Sequence, residues 1–314
     1  MHLRILTVFY EAFVILLLSL AAPGVFGIDR SQIKILQGND DGWAEANIRA
    51  AYKVFTQAGY QSIISAPTEN KSGSGSSSAQ PKKLEKVGQY SSIKKGSPGI
   101  GNDEADDHIW YVNAFPLDGI RYGLDTLVGK YFGGDPQLVV TGPNVGKNVN
   151  LMDLFSGTLG AALYATSRGI PAIAISAADD YRHSYQDSIA HDSSQIYAQA
   201  SLRIIEALVQ GPSDSPYLPV NLTLNVNLQA AGPGKNCQTA NDYKFVLTTI
   251  HRAYVEHDLQ HCGSKRLESE ASIIRRKSGC WASISGVHNR FGVRANIAEQ
   301  EHVRNRFGDF LSCP

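Results

Sequence analysis

The sequence has no excess of charge of either sign, because its 29 Lys and Arg residues are balanced by 29 Asp and Glu residues. A balanced chain is not attracted as a whole to nucleic acid or to an anionic membrane surface. We therefore expect no nucleic-acid polymer among its partners.

Cysteine is scarce and confined to the last third of the chain. The four cysteines are Cys237, Cys262, Cys280 and Cys313. In an oxidising compartment they would form two disulfides, and the sequence does not choose among the three possible pairings. A zinc site that combines Cys262 with His257 and His261 is the alternative, but the chain has no Cys-x-x-Cys pair to support it.

Apolar runs of membrane-spanning length are absent after residue 27. Residues 1–27, MHLRILTVFYEAFVILLLSLAAPGVFG, start cationic, become apolar and end on small residues, a pattern typical of a signal peptide cleaved near Gly27 or Ala22. A membrane anchor is the alternative, but Glu11 interrupts the run and leaves a stretch short of the roughly 20 residues of a span. We expect a secreted, extracellular protein with no membrane segment after cleavage. Glycosylation sequons at Asn70 and Asn221 fit this route.

From residue 33 onwards, short β-branched runs alternate with segments of helical period. The runs are IKIL, QSIISA, QLVVTG, PAIAIS and LTLNVN, and the helices are predicted at residues 44–58, 158–168 and 194–209. Continuous apolar strands between helices predict an α/β fold, with a Rossmann-like parallel sheet covered by helices on both faces. The acidic, glycine-rich segment 94–107 is interpreted as a surface loop.

The pattern changes beyond residue 230. FVLTTI and CWASISGV have strand character, and the cysteines lie on either side of them. We predict a core domain over residues 28–230 and a β-rich C-terminal extension over residues 231–314, held to the core by disulfides.

Two adjacent carboxylates follow the first predicted strand, in KILQGNDDGW. Asp40 and Asp41 would repel each other at the carboxyl edge of the sheet, and the dipole of the next helix is too weak to neutralise both. A divalent cation with oxygen ligands would do so, and Mg²⁺ or Mn²⁺ suits carboxylate and amide oxygens. The alternative is a plain turn and helix cap formed by residues 39–42.

Other polar groups follow other strands and would meet at the same edge. Ser72 lies in the Ser/Gly-rich loop after the second strand, and Asn144, Lys147 and Asn148 follow QLVVTG. The sequence SGT at residues 156–158 begins a helix, where backbone N–H groups and hydroxyls would bind an anion. The alternative there is an ordinary Ser/Thr cap.

Together these residues resemble the SurE family of metal-dependent nucleotidases and phosphatases. The similar blocks are ILQGNDDGW, ISAPTENKSGSGSSS, DPQLVVTGPNVGKNVN, LFSGTLGAALYATSRGIPAIAIS and LNVNL, in the family's order from residue 33 to about residue 228. The resemblance implies that the divalent metal ion is bound by Asp40, Asp41, Ser72 and Asn144. It implies that the phosphate site is lined by Asn39, Asn148, Ser156, Gly157 and Thr158. It also implies hydrolysis of phosphomonoesters, commonly nucleoside monophosphates, and a homodimer formed through an exchanged C-terminal segment.

Two segments depart from the family pattern. The family's Gly-Thr-Pro appears here as Ala114-Phe115-Pro116, ahead of Asp118, and its Ser-Gly-Ile-Asn appears as TGPN at residues 141–144. These changes leave the predicted metal ligands in place and bear on the preference for nucleotides.

The favoured hypothesis is therefore a secreted, metal-dependent phosphatase. Asp40 would act as a ligand and as a base, while Lys147, Asn148 and the amides of residues 156–158 would stabilise charge on the transferred group. One alternative is a secreted nucleotide- or phosphate-binding protein without catalysis, and another is a serine esterase that uses Ser77 in GSSSA.

Overall fold

The computed structural model describes residues 29–149, 155–213, 216–252, 257–289 and 293–314. The signal peptide predicted at residues 1–27 lies outside the described residues. Within the described ranges, no helix combines the length and the apolar character needed to cross a bilayer.

Ten strands form a single sheet. In chain order they are β1 (Lys34–Gly38), β2 (Gln61–Pro67), β3 (Ile100–Asn102), β4 (Ile109–Val112), β5 (Leu138–Val145), β6 (Ala172–Ala177), β7 (Leu222–Leu228), β8 (Lys244–Thr248), β9 (Trp281–His288) and β10 (Val293–Arg294). The α-helices are α1 (Ala46–Gln57), α2 (Pro116–Tyr122), α3 (Val128–Phe132), α4 (Gly157–Ser167), α5 (Ser193–Gln210), α6 (Glu270–Ile274) and α7 (Ile297–Phe307).

The centre of the sheet is parallel, as predicted. The strand order is β10-β9-β7-β6-β5-β1-β2-β4-β3, and β8 pairs with β9 outside this path. Neighbours from β7 to β4 run parallel, whereas β3, β9 and β10 are antiparallel to the strands that they join in this order. After β1 the chain builds outward through β2 and β4, then returns to place β5 on the other side of β1. The strand order therefore reverses between β1 and β5, where open α/β sheets bind their ligands.

Helices cover both faces of the sheet and form two apolar cores. On one face, Phe55 of α1 and Tyr197 of α5 are buried with Ile35 of β1. On the other face, Ile120 of α2 and Leu159 of α4 belong to the core that surrounds β1, β5 and β6. The prediction of an α/β fold with helices on both faces is confirmed.

The predicted helices are present with small shifts in their bounds. The first starts at Ala46 rather than at residue 44, because Glu45 is extended and forms an isolated β-bridge with Ser184. It stops before Gly59, whose φ of +97° ends the helix. The other two helices, α4 and α5, lie within one residue of prediction.

The sheet continues into the C-terminal region. β9 pairs with β7 along its whole length, so that Leu228 lies opposite Ala282 and Leu222 opposite His288. Two disulfides are present, Cys237–Cys280 and Cys262–Cys313. Both join residues within the C-terminal extension, so the prediction that disulfides hold it to the core was wrong, and the pairing of β9 with β7 joins the two instead. Because the two disulfides use all four thiols, the zinc alternative has no thiolate ligand.

One loop prediction was wrong over three residues. Segment 94–107 contains β3, which pairs with β4 at the edge of the sheet, with Gly101 opposite Tyr111. A strand this short, with glycine at its centre, has no apolar alternation for the sequence to show. Tyr111 also fills the space that a side chain at position 101 would need, since its hydroxyl lies 2.4 Å from the position of an added Cβ.

Candidate metal and phosphate site

The adjacent carboxylates lie at the point where the strand order reverses. Asp40 and Asp41 follow β1, and Asn144 lies near the end of β5, the neighbouring strand. All three side chains are buried. The parallel pairing of β1 with β5 brings together groups that are about a hundred residues apart in the chain.

Helix α4 begins directly against Asp40. The Thr158 hydroxyl donates a 2.7 Å hydrogen bond to Asp40 Oδ1. An added Cβ on Gly157 would lie 2.8 Å from Asp40 Cβ, so only glycine permits this approach. Ser156 caps the helix by accepting a hydrogen bond from the Leu159 amide. Ser156 therefore caps the helix, Gly157 permits the close approach, and Thr158 binds the Asp40 carboxylate.

The Ser/Gly-rich loop is ordered on top of this junction. The Lys71 amide donates to the Asp40 carbonyl at 2.6 Å, and the Gly75 amide donates to the Phe155 carbonyl at 3.1 Å. An added Cβ on Gly160 would lie 2.4 Å from the Gly75 carbonyl oxygen. The loop thus lies flat on the first turn of α4 and carries Ser72 to the mouth of the site.

Asp41 is fully buried, and both of its carboxylate oxygens accept hydrogen bonds. Oδ2 accepts from the Val145 amide at 2.7 Å, and Oδ1 accepts from Arg182 Nε at 2.9 Å. The same guanidinium donates through Nη2 to Ser72 Oγ at 3.2 Å and to the Val145 carbonyl at 3.1 Å. Arg182 therefore joins two of the four predicted metal ligands.

The sequence interpretation missed Arg182. It follows β6 in the segment 178–192, at the same carboxyl edge of the sheet, and the rule that pointed to the other strand ends could have included it. A single arginine in a polar segment carries no local signal, because its role depends on a partner 141 residues away.

The groups described around the two aspartates do not fully neutralise their negative charges. Burial raises the pKa of Asp40, while the Thr158 hydroxyl and Arg182 lower it. Burial, followed by the charge of Asp40, raises the pKa of Asp41 well above its usual range, against the lowering effects of the Val145 amide and Arg182. One half-exposed guanidinium does not offset two buried carboxylates.

Two buried oxygen atoms at this edge of the sheet have no hydrogen-bond partner among the described residues. They are Asn144 Oδ1 and Ser74 Oγ. The Asn144 amide nitrogen, by contrast, donates to the Gly146 carbonyl at 2.6 Å, which fixes the orientation of the side chain. A buried acceptor without a donor is unfavourable unless a cation or another ligand satisfies it. Two carboxylates, a hydroxyl and this amide oxygen are a donor set that fits a hard divalent ion.

The remaining predicted residues lie around this centre rather than in it. Asn39 closes a turn, accepting from the Gly42 amide and donating to its carbonyl. Asn148 is buried and donates to Ser176 Oγ, while its backbone is held by Asn227. Lys147 is exposed.

The serine suggested as an esterase nucleophile has no catalytic surroundings. Ser77 is exposed, and its amide closes a turn onto the Ser74 carbonyl. The serine with a carboxylate partner in this run is Ser78, which donates to Asp118 at 2.7 Å. No helix follows Ser77, so the strand–turn–helix arrangement of a nucleophile elbow is missing from the described structure around it.

A cavity of about 680 Å³ opens beside the site. Its wall includes Lys71, Lys82, Lys83, Lys86, Glu69 and Phe115. Lys71 links the cavity to the carboxylates, because its backbone holds Asp40 while its ammonium group lies 5.8 Å from the centre of the Phe115 ring. Ala114 and Phe115, from the segment that departs from the family pattern, therefore form part of this wall.

Known proteins are similar to this chain in sequence. The profile of the family described as Survival protein SurE matches residues 35–256. An acid phosphatase from Yarrowia lipolytica is 32% identical over 308 residues, covering 88% of this chain and 85% of that protein. The 5'-nucleotidase SurE from Gloeobacter violaceus is 31% identical over 198 residues, covering 63% of this chain and 65% of that protein.

A solved structure has the same fold. The SurE protein from Aquifex aeolicus superposes with a TM-score of 0.57 and covers 86% of this chain and 98% of its own. The two sequences are 18% identical, so this likeness concerns the fold alone.

Proposed function

Since this chain belongs to the SurE family, we propose that it is a phosphoric monoester hydrolase that depends on a divalent metal ion and acts outside the cell. The relatives named acid phosphatase and 5'-nucleotidase support the reaction class. The observation that carries the proposal is the burial of two adjacent carboxylates at the end of β1 and of an amide oxygen without a donor near the end of the neighbouring strand β5, where the strand order reverses.

The metal ion would be held by Asp40, Asp41, Ser72 and Asn144. Mg²⁺ or Mn²⁺ bound there supplies a Lewis acid for a phosphoryl oxygen and makes a water molecule a better nucleophile at neutral pH. Asp40 has one oxygen occupied by Thr158, and its second oxygen would be placed to bind the ion or to take a proton from the attacking water.

The start of α4 would bind the transferred phosphoryl group. The Leu159 and Gly160 N–H groups are used by Ser156, whereas the Gly157 N–H has no protein acceptor among the described residues and is available to a phosphate oxygen. The helix N-terminus adds a favourable dipole. Exposed Lys147 and buried Asn148 would stabilise further charge at the adjacent strand ends.

The leaving group would lie in the cavity beside Lys71 and Phe115. This cavity is large enough for a nucleoside, and it combines an aromatic ring with several ammonium groups. Nucleoside monophosphates therefore fit as substrates, since their bases stack on aromatic rings.

A substrate panel with and without metal tests the proposal. p-Nitrophenyl phosphate, AMP and β-glycerophosphate are assayed with MnCl₂ or MgCl₂, then again with EDTA. We expect turnover with metal, its loss in EDTA and in Asp40→Asn, and its recovery when Mn²⁺ is restored to the wild-type protein. Asp125→Asn is the matched control, because Asp125 forms an exposed ion pair with Arg168. Unchanged turnover in EDTA would refute the dependence on metal.

A secreted binding protein without catalysis is the second candidate. It is favoured by one observation, the hydrogen bonds from Arg182 to Asp41 and Ser72. Calorimetry that shows AMP binding, together with no phosphate release at any metal concentration, would support it over the hydrolase.

Secretion and dimerisation are parts of the proposal that need their own measurements. The signal-like residues 1–27 and the two disulfides support secretion. N-terminal sequencing of protein from the culture medium should begin after Ala22 or Gly27. The homodimer rests on resemblance to the family, and light scattering of the purified protein tests it.

A further inference from the structure

Arg182 places a fixed positive charge on half of the proposed metal-ligand set. Its guanidinium hydrogen-bonds Asp41 and Ser72, and it makes no hydrogen bond to Asp40 or Asn144. The four ligands thus divide into a pair engaged by the arginine and a pair that is not. This division matters because a bound ion would use the same oxygens.

We propose that Arg182 is a built-in competitor of the metal ion: the divalent cation must displace its guanidinium from Ser72 and from Asp41 Oδ1 to bind. This inference rests on the proposed ligand set. A Mg²⁺ ion lies about 2.0–2.1 Å from its oxygen ligands, while the guanidinium nitrogens lie 2.9 Å and 3.2 Å from theirs. The two cations would therefore occupy neighbouring positions beside the buried Asp41 carboxylate, where like charges repel strongly.

The backbone that carries Arg182 is held in place on one side. The Ala46 amide donates to the His183 carbonyl at 3.1 Å, and the Tyr185 amide donates to the Ala44 carbonyl at 3.1 Å. Glu45 and Ser184 form a β-bridge between these two hydrogen bonds. The segment 183–185 is therefore fixed along residues 44–46, where α1 begins.

The side chain of Arg182 has room to leave. It is 35% exposed, whereas Asp41 is fully buried. The residue before it, Tyr181, is 62% exposed, so the chain on that side faces the solvent. A rotation of the arginine side chain would move the guanidinium outward without unfolding the segment, whereas Asp41 has no comparable freedom.

The competition has a thermodynamic consequence for metal binding. With Arg182 in place, its positive charge offsets part of the negative charge of the aspartate pair before the ion binds. The ion must then replace that interaction. Without the guanidinium, the carboxylates lose this compensation and attract the ion more strongly. Arg182 would thereby set the ion concentration at which the site fills, which makes it a regulator of metal loading.

The opposite role predicts the opposite result. If Arg182 held Asp41 and Ser72 in position for the ion, its removal would weaken binding, as the loss of outer-shell partners generally does. The sign of the change in metal affinity therefore separates competition from support.

Calorimetric titration of the metal-free protein with Mn²⁺ is the experiment. We expect Arg182→Met to bind Mn²⁺ roughly tenfold more tightly than wild type, within the range of about 5- to 150-fold usual for coupling between sites. Arg182→Lys should lie between the two, because a lysine keeps the charge without the paired nitrogens. Arg168→Met, which removes an exposed ion pair at the far end of α4, should bind like wild type.

Thermal unfolding gives a second readout. Arg182→Met should melt below wild type in EDTA and gain more than wild type from added Mn²⁺, because more of its stability comes from the ion. Equal or weaker Mn²⁺ binding by Arg182→Met would overturn the competition and leave the proposed hydrolase intact. Mn²⁺ binding that persists in Asp40→Asn would instead remove the ligand set, and with it both proposals.

Discussion

Thr158 and Asp40 are 118 residues apart in the chain, yet the Thr158 hydroxyl donates a 2.7 Å hydrogen bond to Asp40 Oδ1 inside the buried site. This bond connects Asp40, two residues after the end of β1, to the first turn of α4. It joins the proposed metal centre to the proposed phosphate site, so a substitution at Thr158 should alter the chemistry of Asp40.

Removal of that hydroxyl should shift the pH dependence of activity. The hydrogen bond from Thr158 lowers the pKa of Asp40, opposing the larger effect of burial, so Thr158→Val raises that pKa further. Because Asp40 must be ionised to bind metal and accept a proton, the acid limb of the pH profile should move to higher pH. We also expect kcat/KM to fall by about tenfold, consistent with a hydrogen bond to a charged group worth about 1.5–3 kcal/mol. Thr158→Ser keeps the hydroxyl and should behave like wild type, and equal profiles for Val and Ser would contradict the role.

Loss of one carboxylate should stabilise the metal-free protein. The folded-state pKa of Asp40 is raised above its unfolded value, so its contribution to stability is fully favourable below the unfolded pKa. That contribution is lost as pH rises through the folded pKa, since the buried carboxylate must then be charged. In EDTA, Asp40→Asn should therefore gain about 0.5–2 kcal/mol of unfolding free energy, with a larger gain at pH 8 than at pH 4.

Urea denaturation at both pH values measures this difference. Asp125→Asn, at an exposed ion pair, should show neither the gain nor its pH dependence. A destabilised Asp40→Asn protein at neutral pH would show that the charge of Asp40 beside Asp41 does not lower the stability of the metal-free protein.

Any side chain at position 157 should damage the site. Gly157→Ala would put its Cβ 2.8 Å from Asp40 Cβ and 2.9 Å from Ser74 Oγ. The start of α4 must then move away from Asp40, which we expect to lower stability by about 1–3 kcal/mol and to weaken Mn²⁺ binding. Gly129→Ala is the control: this glycine also lies in a helix, has nothing within 4 Å of an added Cβ, and should be neutral or stabilising. Calorimetry and thermal unfolding of both variants test the comparison, and similar results for the two would contradict the close-approach argument.

Truncation of Phe115 should change substrate preference rather than chemistry. The ring forms part of the wall of the cavity beside Lys71, where stacking of a base is worth about 1–3 kcal/mol. Phe115→Ala should therefore raise KM for AMP at least fivefold and leave kcat/KM for β-glycerophosphate within about twofold. Phe115→Tyr, which keeps the aromatic face, should retain the preference for AMP. An equal loss on both substrates would mean that the leaving group lies elsewhere.

The sequence predicted the fold, and it predicted that the candidate ligands after β1 and β5 would share one edge of the sheet, because both follow from local patterns. Continuous apolar strands between helices predict a parallel sheet, and polar residues directly after those strands must then share one edge. Asp40, Asp41 and Asn144 are close together for this reason. The Gly157–Thr158 pair is predictable in the same way, since it opens a helix at that edge.

The parts that could not be predicted depend on contacts between distant segments. Arg182 acts through Asp41 and Ser72, and its segment reaches them because residues 183–185 pair with residues 44–46. Neither segment has a sequence pattern that predicts this pairing. The Cys237–Cys280 pairing was open for a similar reason, because Cys280 directly precedes Trp281, which pairs with Lys244 of β8 only in the folded sheet.

The central claim is that oxygen atoms of four residues from three separated segments surround one ion, and anomalous X-ray diffraction from crystals soaked in MnCl₂ tests it most directly. The account predicts one manganese peak within about 2.5 Å of a carboxylate oxygen of Asp40 and of Asn144 Oδ1, with the Arg182 guanidinium turned away from Ser72. A strong manganese peak elsewhere, with Arg182 still hydrogen-bonded to Asp41 and Ser72, would contradict it.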